Sequence, residues 1–286
     1  MDIGIGLPTT IPGTTREQLL EFARRADAAG FSSLGTIDRI VYPNYEPLVA
    51  LAGVAAVTER ARLLTSVLLA PLRSNVALFA KQAASIQVLS NGRLVLGLGI
   101  GGRPDDFEAS HLPMERRGAR LDEMLDELQR LWAGEERGFA GGVGPDVSAD
   151  PPSLILGGGV DAAFRRAAKH GDGWILGAQP PEAFPEPRDK LRAAFADAGR
   201  SERPRAMAIS YFSLDDDPEA RVRASVGDYY SFAGQYGNMI VELTPKGEDA
   251  VRERIAAFEA VECDELILFP ASPDPDQVDK LAALAL

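Results

Sequence analysis

Three consecutive glycines, Gly157-Gly158-Gly159, follow the apolar run Leu154-Ile155-Leu156 and directly precede a helical stretch. That order sets free backbone N–H groups and the positive end of a helix at one point, and glycine lets an anion come close to the backbone. A phosphate is the natural ligand; a tight turn that binds nothing is the plain alternative. A second cluster, Gly97-Leu98-Gly99-Ile100-Gly101-Gly102, ends another apolar run and satisfies G-x-G-x-x-G. The dinucleotide fingerprint requires a helix to open at once within the first strand–helix turn. Here Arg103-Pro104-Asp105-Asp106-Phe107 follows, and the next helical pattern begins near Glu115. Gly99 and Gly101 are therefore read as clearing room for a flat ring at a strand mouth, not as a dinucleotide loop.

Asp38 closes a third apolar stretch and is followed by Arg39. A carboxylate there faces a strand mouth and suits a polar ring edge or a substrate; a helix cap or a partner for Arg39 is its structural alternative. Tyr42 and His111 stand on neighbouring loops as further substrate candidates. Asp105, Asp106 and Glu108 match no calcium-loop spacing, no histidine stands near enough to specify a transition metal, and a solvated loop is expected. His170 ends a helix, where imidazole suits the dipole, and is read as structural. No G-x-S-x-G, H-E-x-x-H or Cys/His arrangement is present, so hydrolysis has no visible apparatus. A phosphate site with little acid–base machinery calls for a cofactor that carries the chemistry.

The elements that must position these residues alternate along the whole chain. Strands are expected at residues 3–7, 33–37, 63–69, 94–98, 153–156, 174–176, 207–214 and 265–269. Helices are expected between them: after a Thr14 or Thr15 cap as far as Gly30, then 46–58, 75–89, 115–132, 160–169, 181–198 and 218–232. One more begins at the Thr244-Pro245 cap, and a last one at Asp276. Residues 134–152 are rich in glycine and proline without periodicity and read as an irregular loop inside one domain spanning 1–286. Eight strand–helix repeats in 286 residues predict an α/β fold, a (β/α)8 TIM barrel with its ligand at the carboxyl ends of the strands; an open doubly wound sheet competes with it.

Composition narrows the partners. The net charge of −12, with no basic stripe, argues against nucleic acid and anionic membrane surfaces. No window reaches the roughly 18 apolar residues of a membrane span. One cysteine, Cys263, excludes an internal disulfide, is read as a buried structural thiol, and fits a reducing, cytoplasmic setting.

Together, Thr65-Ser66-Val67 through Gly102, Arg117-Gly118-x-Arg120-Leu121-Asp122-Glu123, and Leu156-Gly157-Gly158-Gly159 to Asp172-Gly173-Trp174 resemble the bacterial luciferase-like oxidoreductases, flavin-dependent monooxygenases and deazaflavin-dependent dehydrogenases. The resemblance covers nearly the whole chain. It implies a TIM barrel with the ring at the strand mouths, a non-proline cis peptide at Ser66–Val67 buttressing the ring, and the cofactor phosphate on Gly157 to Gly159. The reading favoured here is an FMN-dependent monooxygenase acting on a small-molecule substrate, with Asp38 and Arg39 as the catalytic groups and reduced flavin supplied by a separate flavin reductase, because the chain shows no nicotinamide domain; the family would imply a homodimer. Replacing Asp38 by alanine is then expected to cut turnover and leave the fold intact. The rival is hydride transfer with the deazaflavin coenzyme F-420, whose anionic tail Arg73 and Arg103 would meet. Sugar-phosphate dehydrogenases of the family carry Asp-His where this chain has Asp38-Arg39 and a glutamate where Gly102 stands. The luciferase subunit has an arginine where Ile100 stands. Those absences motivate a third reading, a barrel that binds flavin without turnover.

Overall fold

The computed structural model describes residues 1–286. Strand β1 (Asp2–Gly6) leads to helix α1 (Arg16–Ala29), followed by β2 (Ser33–Thr36), α2 (Pro47–Ala55), β3 (Arg62–Thr65), β4 (Leu68–Leu69) and α3 (Val76–Leu89). The chain continues through β5 (Leu94–Gly99), α4 (Pro104–Ala109), α5 (Arg117–Trp132), β6 (Ser153–Gly157), α6 (Asp161–His170), β7 (Gly173–Leu176) and α7 (Pro185–Asp197). It ends with β8 (Arg205–Phe212), α8 (Pro218–Val222), α9 (Gln235–Leu243), α10 (Glu248–Ala260), β9 (Glu265–Pro270) and α11 (Asp276–Ala285).

Every strand pairing is parallel, and the sheet closes on itself because β5 pairs with both β3 and β4. Leu63 and Leu64 face Leu94 and Val95, whereas Leu68 and Leu69 face Leu98 and Gly99. β3 and β4 are thus two halves of one stave, interrupted at Ser66-Val67, and the barrel has eight staves. The continuous strand expected over 63–69 is broken there. Apolar side chains alternate along the staves: Leu64, Ile155, Ile175, Met207, Ile209 and Ile267 fill the barrel, while Leu34, Leu63, Leu96, Leu156 and Leu268 pack outward against the helices. At the amino-terminal end Glu265, wholly buried, accepts from Arg62 at 3.2 Å and Arg205 at 2.8 Å and from the Ser32 hydroxyl.

Local signals held where chemistry and geometry agree. Thr15 caps α1 in a reciprocal capping box with Gln18, and Gly30 ends it in the left-handed conformation. Thr14 instead donates to the carbonyls of Pro8 and Ile11. Three expectations are corrected. Thr244-Pro245 caps no helix: the Thr244 hydroxyl donates back to the Ile240 carbonyl at 2.7 Å, ending α9, and α10 starts after Gly247. The stretch expected to be one helix over 218–232 is α8, a π turn and a 3-10 turn, with α9 beyond it. The loop after β5 holds a short helix, α4, with Pro104 at its first position, where a missing N–H costs nothing. Residues 134–152 form no helix or strand, in keeping with their composition. No helix is long and apolar enough to cross a membrane. Cys263 is buried, and burial pushes its thiol up to about 12.

Gly97 shows how tightly the interrupted stave sits. A Cβ at that position would lie 1.9 Å from the Thr65 carbonyl oxygen, which is backbone and has nowhere to go. Gly102, five residues on, has nothing within 4 Å. Gly97→Ala is therefore expected to cost about 3 kcal/mol and lower Tm by roughly 6–12 °C, whereas Gly102→Ala stays within about 0.5 kcal/mol. Thermal melts of the two variants check the contrast, and equal melting temperatures would refute it.

Candidate cofactor and substrate site

The carboxyl ends of the staves enclose a cavity of about 520 Å³ bounded by Ser66, Val67, Leu69, Gly99 to Gly102, Gly157 to Gly159, Trp174 to Gly177, Gln179, Ile209 and Tyr236. No charged side chain lines it. Its floor is the Ser66–Val67 peptide, which is cis. The Ser66 N–H donates to the Thr36 carbonyl at 2.7 Å, and the Thr65 hydroxyl donates to the Gly97 carbonyl at 2.9 Å, so both neighbouring staves hold the interruption. Ser66 Oγ is buried and has no partner. Gly99 and Gly101 line the cavity, but their missing side chains make room for protein: a Cβ at Gly99 would stand 2.6 Å from Val67 Cγ2, and one at Gly101 3.1 Å from Phe107. These glycines thus relieve crowding by Val67 and Phe107 at the strand mouth.

Gly157 to Gly159 join β6 to α6 and form one wall. Gly158 takes a φ of 125°, closed to other residues, and its carbonyl accepts the Trp174 indole N–H at 2.7 Å, which fixes the turn. The N–H groups of Gly158, Gly159, Val160, Asp161 and Ala162 find no backbone acceptor, and no side chain caps the helix. Five amides at a helix N-terminus are a donor set suited to a phosphate. Asp161, the acid of that first turn, is exposed and lies in the outer groove between α6 and α7.

Asp38 and Arg39 follow β2, and both are buried and engaged. Asp38 Oδ2 accepts the Leu69 N–H at 2.9 Å and Arg73 Nη2 at 3.1 Å, and Arg73 also reaches Glu46 at 2.8 Å. Burial pushes the Asp38 carboxyl above its usual range, opposed by Arg73 and the Leu69 amide. Arg39 pairs with Asp105 at 3.0 Å, donates to the Tyr229 carbonyl at 3.3 Å, and lies 5.0 Å over the Tyr42 ring and 5.0 Å over the Phe232 ring. Tyr42 is packed edge-on against Tyr229, and its hydroxyl donates to Asp228 at 2.5 Å; burial raises its pKa. Neither Asp38 nor Arg39 lines the cavity. They brace its rim.

His111 is exposed, in the left-handed conformation that ends α4, and lies away from the cavity lining. His170 is buried, with Nδ1 3.0 Å from Gln129 Oε1, and desolvation lowers its pKa, consistent with a structural role. The acids expected to sit on a solvated loop do not all do so: Asp106 is wholly buried and accepts the Ile40 and Val41 N–H groups at 2.9 and 2.8 Å. That carboxylate ties α4 to the segment after β2.

Sequence reasoning missed the aromatic segment between α8 and α9. Tyr229 meets Tyr230 with centroids 5.0 Å apart, and Tyr230 meets Tyr236 at 6.1 Å. Tyr211, inside the barrel, holds the Tyr230 hydroxyl at 3.1 Å. Tyr236 accepts from Gln179 and borders the cavity. The signal was there: Tyr229, Tyr230, Phe232 and Tyr236 crowd eight positions of a chain only 7% aromatic.

The closed parallel barrel thus presents an uncharged, glycine-walled mouth with five open amides at one wall. The chain belongs to the luciferase-like monooxygenase family, which it matches over residues 1–265. It is 30% identical over 245 residues to an F420-dependent glucose-6-phosphate dehydrogenase of Kribbella flavida, covering 77% of this chain and 72% of that one. Its fold superposes on the monooxygenase RslO1 of Streptomyces bottropensis with a TM-score of 0.81 at 24% identity, over 100% of this chain and 98% of that one. It also superposes on the oxygenating constituent of 3,6-diketocamphane monooxygenase from Pseudomonas putida, in complex with FMN (TM-score 0.75, 17% identity, 99% and 95% covered). At these identities the two structures establish the shared fold.

The burial of Asp38 revises the expected outcome of its removal. Asp38→Ala leaves Arg73 and the Leu69 amide without their acceptor and is expected to cost about 3–5 kcal/mol. Asp38→Asn keeps an acceptor for the amide and should lose less than half of that. Chemical denaturation of both variants checks the order, and an alanine variant as stable as the parent would refute the bracing role.

Proposed function

We propose that this barrel binds FMN and acts as a monooxygenase on a small organic substrate, with reduced flavin delivered by a separate flavin reductase. The observation that carries the reading is the pairing of an uncharged cavity over Ser66-Val67 with the open amides of Gly158 to Ala162 at its wall. Those amides would hold the phosphate, and the backbone of Ser66-Val67, Gly99 and Gly101 would face the ring. Reduced flavin, when bound, supplies the electrons that let dioxygen react with the substrate. The protein's own part is to hold ring and substrate together and to keep water out. Tyr236, tied to Gln179, and the rings of Tyr229 and Tyr230 behind it supply the apolar cover. Asp38 and Arg39 act on this reading by fixing the rim.

The deazaflavin coenzyme is the second reading, favoured by the likeness to a dehydrogenase that uses it. Its anionic tail needs cations near the mouth. Arg73 is held by Asp38 and Glu46, which leaves Arg103 alone for that purpose. FMN, with a single phosphate that amides can meet, makes the smaller demand. Binding without turnover is separated from both by oxygen consumption with reduced flavin and by substrate-dependent oxidation. A homodimer, implied by the family, is checked by sedimentation velocity.

Gly159 offers a clean test. A Cβ there meets nothing within 4 Å and an acid beside a helix N-terminus does not destabilise it, so Gly159→Asp should fold with a Tm no lower than the parent's while placing a negative charge at the turn. FMN affinity should fall tenfold or more, about 1.4 kcal/mol. Parallel titrations with FMN and with the deazaflavin coenzyme, oxidised and reduced, decide between cofactors. Undiminished FMN binding by Gly159→Asp would place the phosphate elsewhere.

A further inference from the structure

The arginines around the mouth each have a carboxylate or carbonyl partner, with one exception, although Arg39 and Arg73 also leave their Nε–H buried without an acceptor. Arg39 has Asp105, Arg73 has Asp38 and Glu46, and Arg117 donates to the carbonyls of Gly101 and Met114. Arg103, which follows the cavity-lining Gly101 and Gly102, has no carboxylate or carbonyl partner, and its Nε–H is buried without an acceptor. Its guanidinium lies 4.9 Å over the Tyr229 ring and 4.6 Å over the Phe232 ring. Aromatic rings satisfy a guanidinium's face but not its N–H groups, which point outward in its plane. Asp106, three residues on, gives its Oδ1 to the Ile40 and Val41 amides and makes no ion pair with Arg103, its Oδ2 being buried without a partner. The Tyr229 hydroxyl, buried with its residue, faces the Arg103 side chain and donates to no carboxylate or carbonyl.

We propose that Arg103 and the Tyr229 hydroxyl anchor a carboxylate on the organic substrate, whose apolar or aromatic body lies along Tyr230 and Tyr236 over the cavity floor. A carboxylate is planar and has two acceptor oxygens, the shape an Arg fork recognises, and the neighbouring hydroxyl supplies a further donor. The aromatic rings that flank the arginine lead to Tyr236, which borders the cavity, so an acid held at Arg103 has an apolar path to it. The inference rests on the reading that this cavity holds the flavin ring, and it specifies the substrate class: small carboxylic acids with an apolar body. The carboxylates of a deazaflavin tail share this chemistry and are the competing source.

The test uses the full chain loaded with FMN, titrated with benzoate, phenylacetate and cyclohexanecarboxylate and with the amide of each, followed by flavin difference spectra and calorimetry. At least one acid should bind tenfold or more tighter than its amide. Arg103→Met, which keeps an apolar stem against the rings, should abolish that preference and leave FMN affinity unchanged. Arg103→Lys should retain part of it, and Tyr229→Phe should weaken acid binding severalfold. No acid preference across the panel, or a preference that survives Arg103→Met, overturns the proposal. So does a tenfold loss of deazaflavin or FMN affinity in Arg103→Met, which would assign the arginine to the cofactor. The same titrations on flavin-free protein, read by tyrosine and tryptophan fluorescence, keep the two readings apart. Arg103-dependent acid binding in a protein that takes up neither cofactor would sink the flavin reading and leave the anchor standing.

Discussion

The carbonyl of Thr65 stands where a side chain at position 97 would be, and the architecture of the mouth follows from that contact. With the third stave pressed so close to β5, position 97 admits only hydrogen, and Val67 drops into the notches left by Gly99 and Gly157. The stave resumes as β4 displaced from β3, still paired to β5 but beyond the reach of β2. The Leu69 N–H is then met by a side chain instead of a strand: Asp38, at the end of β2, takes it. A carboxylate brought so deep needs a cation, and Arg73 supplies it while reaching Glu46 at the start of α2. One close approach between backbones thereby recruits a buried ion pair, orders the loop after β4, and leaves the floor of the cavity free of charge.

The alternation of strand and helix, and hence the barrel, was legible because each repeat states it locally: a short apolar run, a cap, an amphipathic stretch and a stop. Long-range partners were not. Asp38 read as a ligand-facing acid and Asp106 as a solvated one because their donors, Leu69 and Arg73 for the first and Ile40 and Val41 for the second, lie 31 to 66 residues away. Arg73 read as a spare cation for the same reason. Thr244-Pro245 carries a start signal in its residue types, yet the Thr244 hydroxyl had an equally good local acceptor at Ile240, and the helix waited for Gly247. The short helix α4 was passed over before Glu115, although proline at its first position opens a helix readily. The glycine cluster after β5 was legible as a place where the backbone must come close to something; that the something includes Val67 and Phe107 is a tertiary fact.

The mouth separates charge by task. Ion pairs gather at its periphery, where Asp38, Arg73, Glu46, Arg39 and Asp105 hold segments together, and the cavity wall itself offers only amides, apolar groups, one serine and two polar side chains from Gln179 and Tyr236. A cofactor that carries its own reactivity is served by such a wall, because fixed charges beside the ring would compete for its electrons and draw in water. Structural charges are recognisable by closure: each has its counter-ion or its set of amides, so moving it exposes a partner. Arg103 breaks that rule. Its aromatic neighbours stabilise the cation without neutralising it, and the Tyr229 hydroxyl beside it carries no charge, so the guanidinium is left without a counter-ion. A cation that the fold leaves without a counter-ion beside a cavity, when Arg39 and Arg73 each have one, points to what the cavity is built to receive.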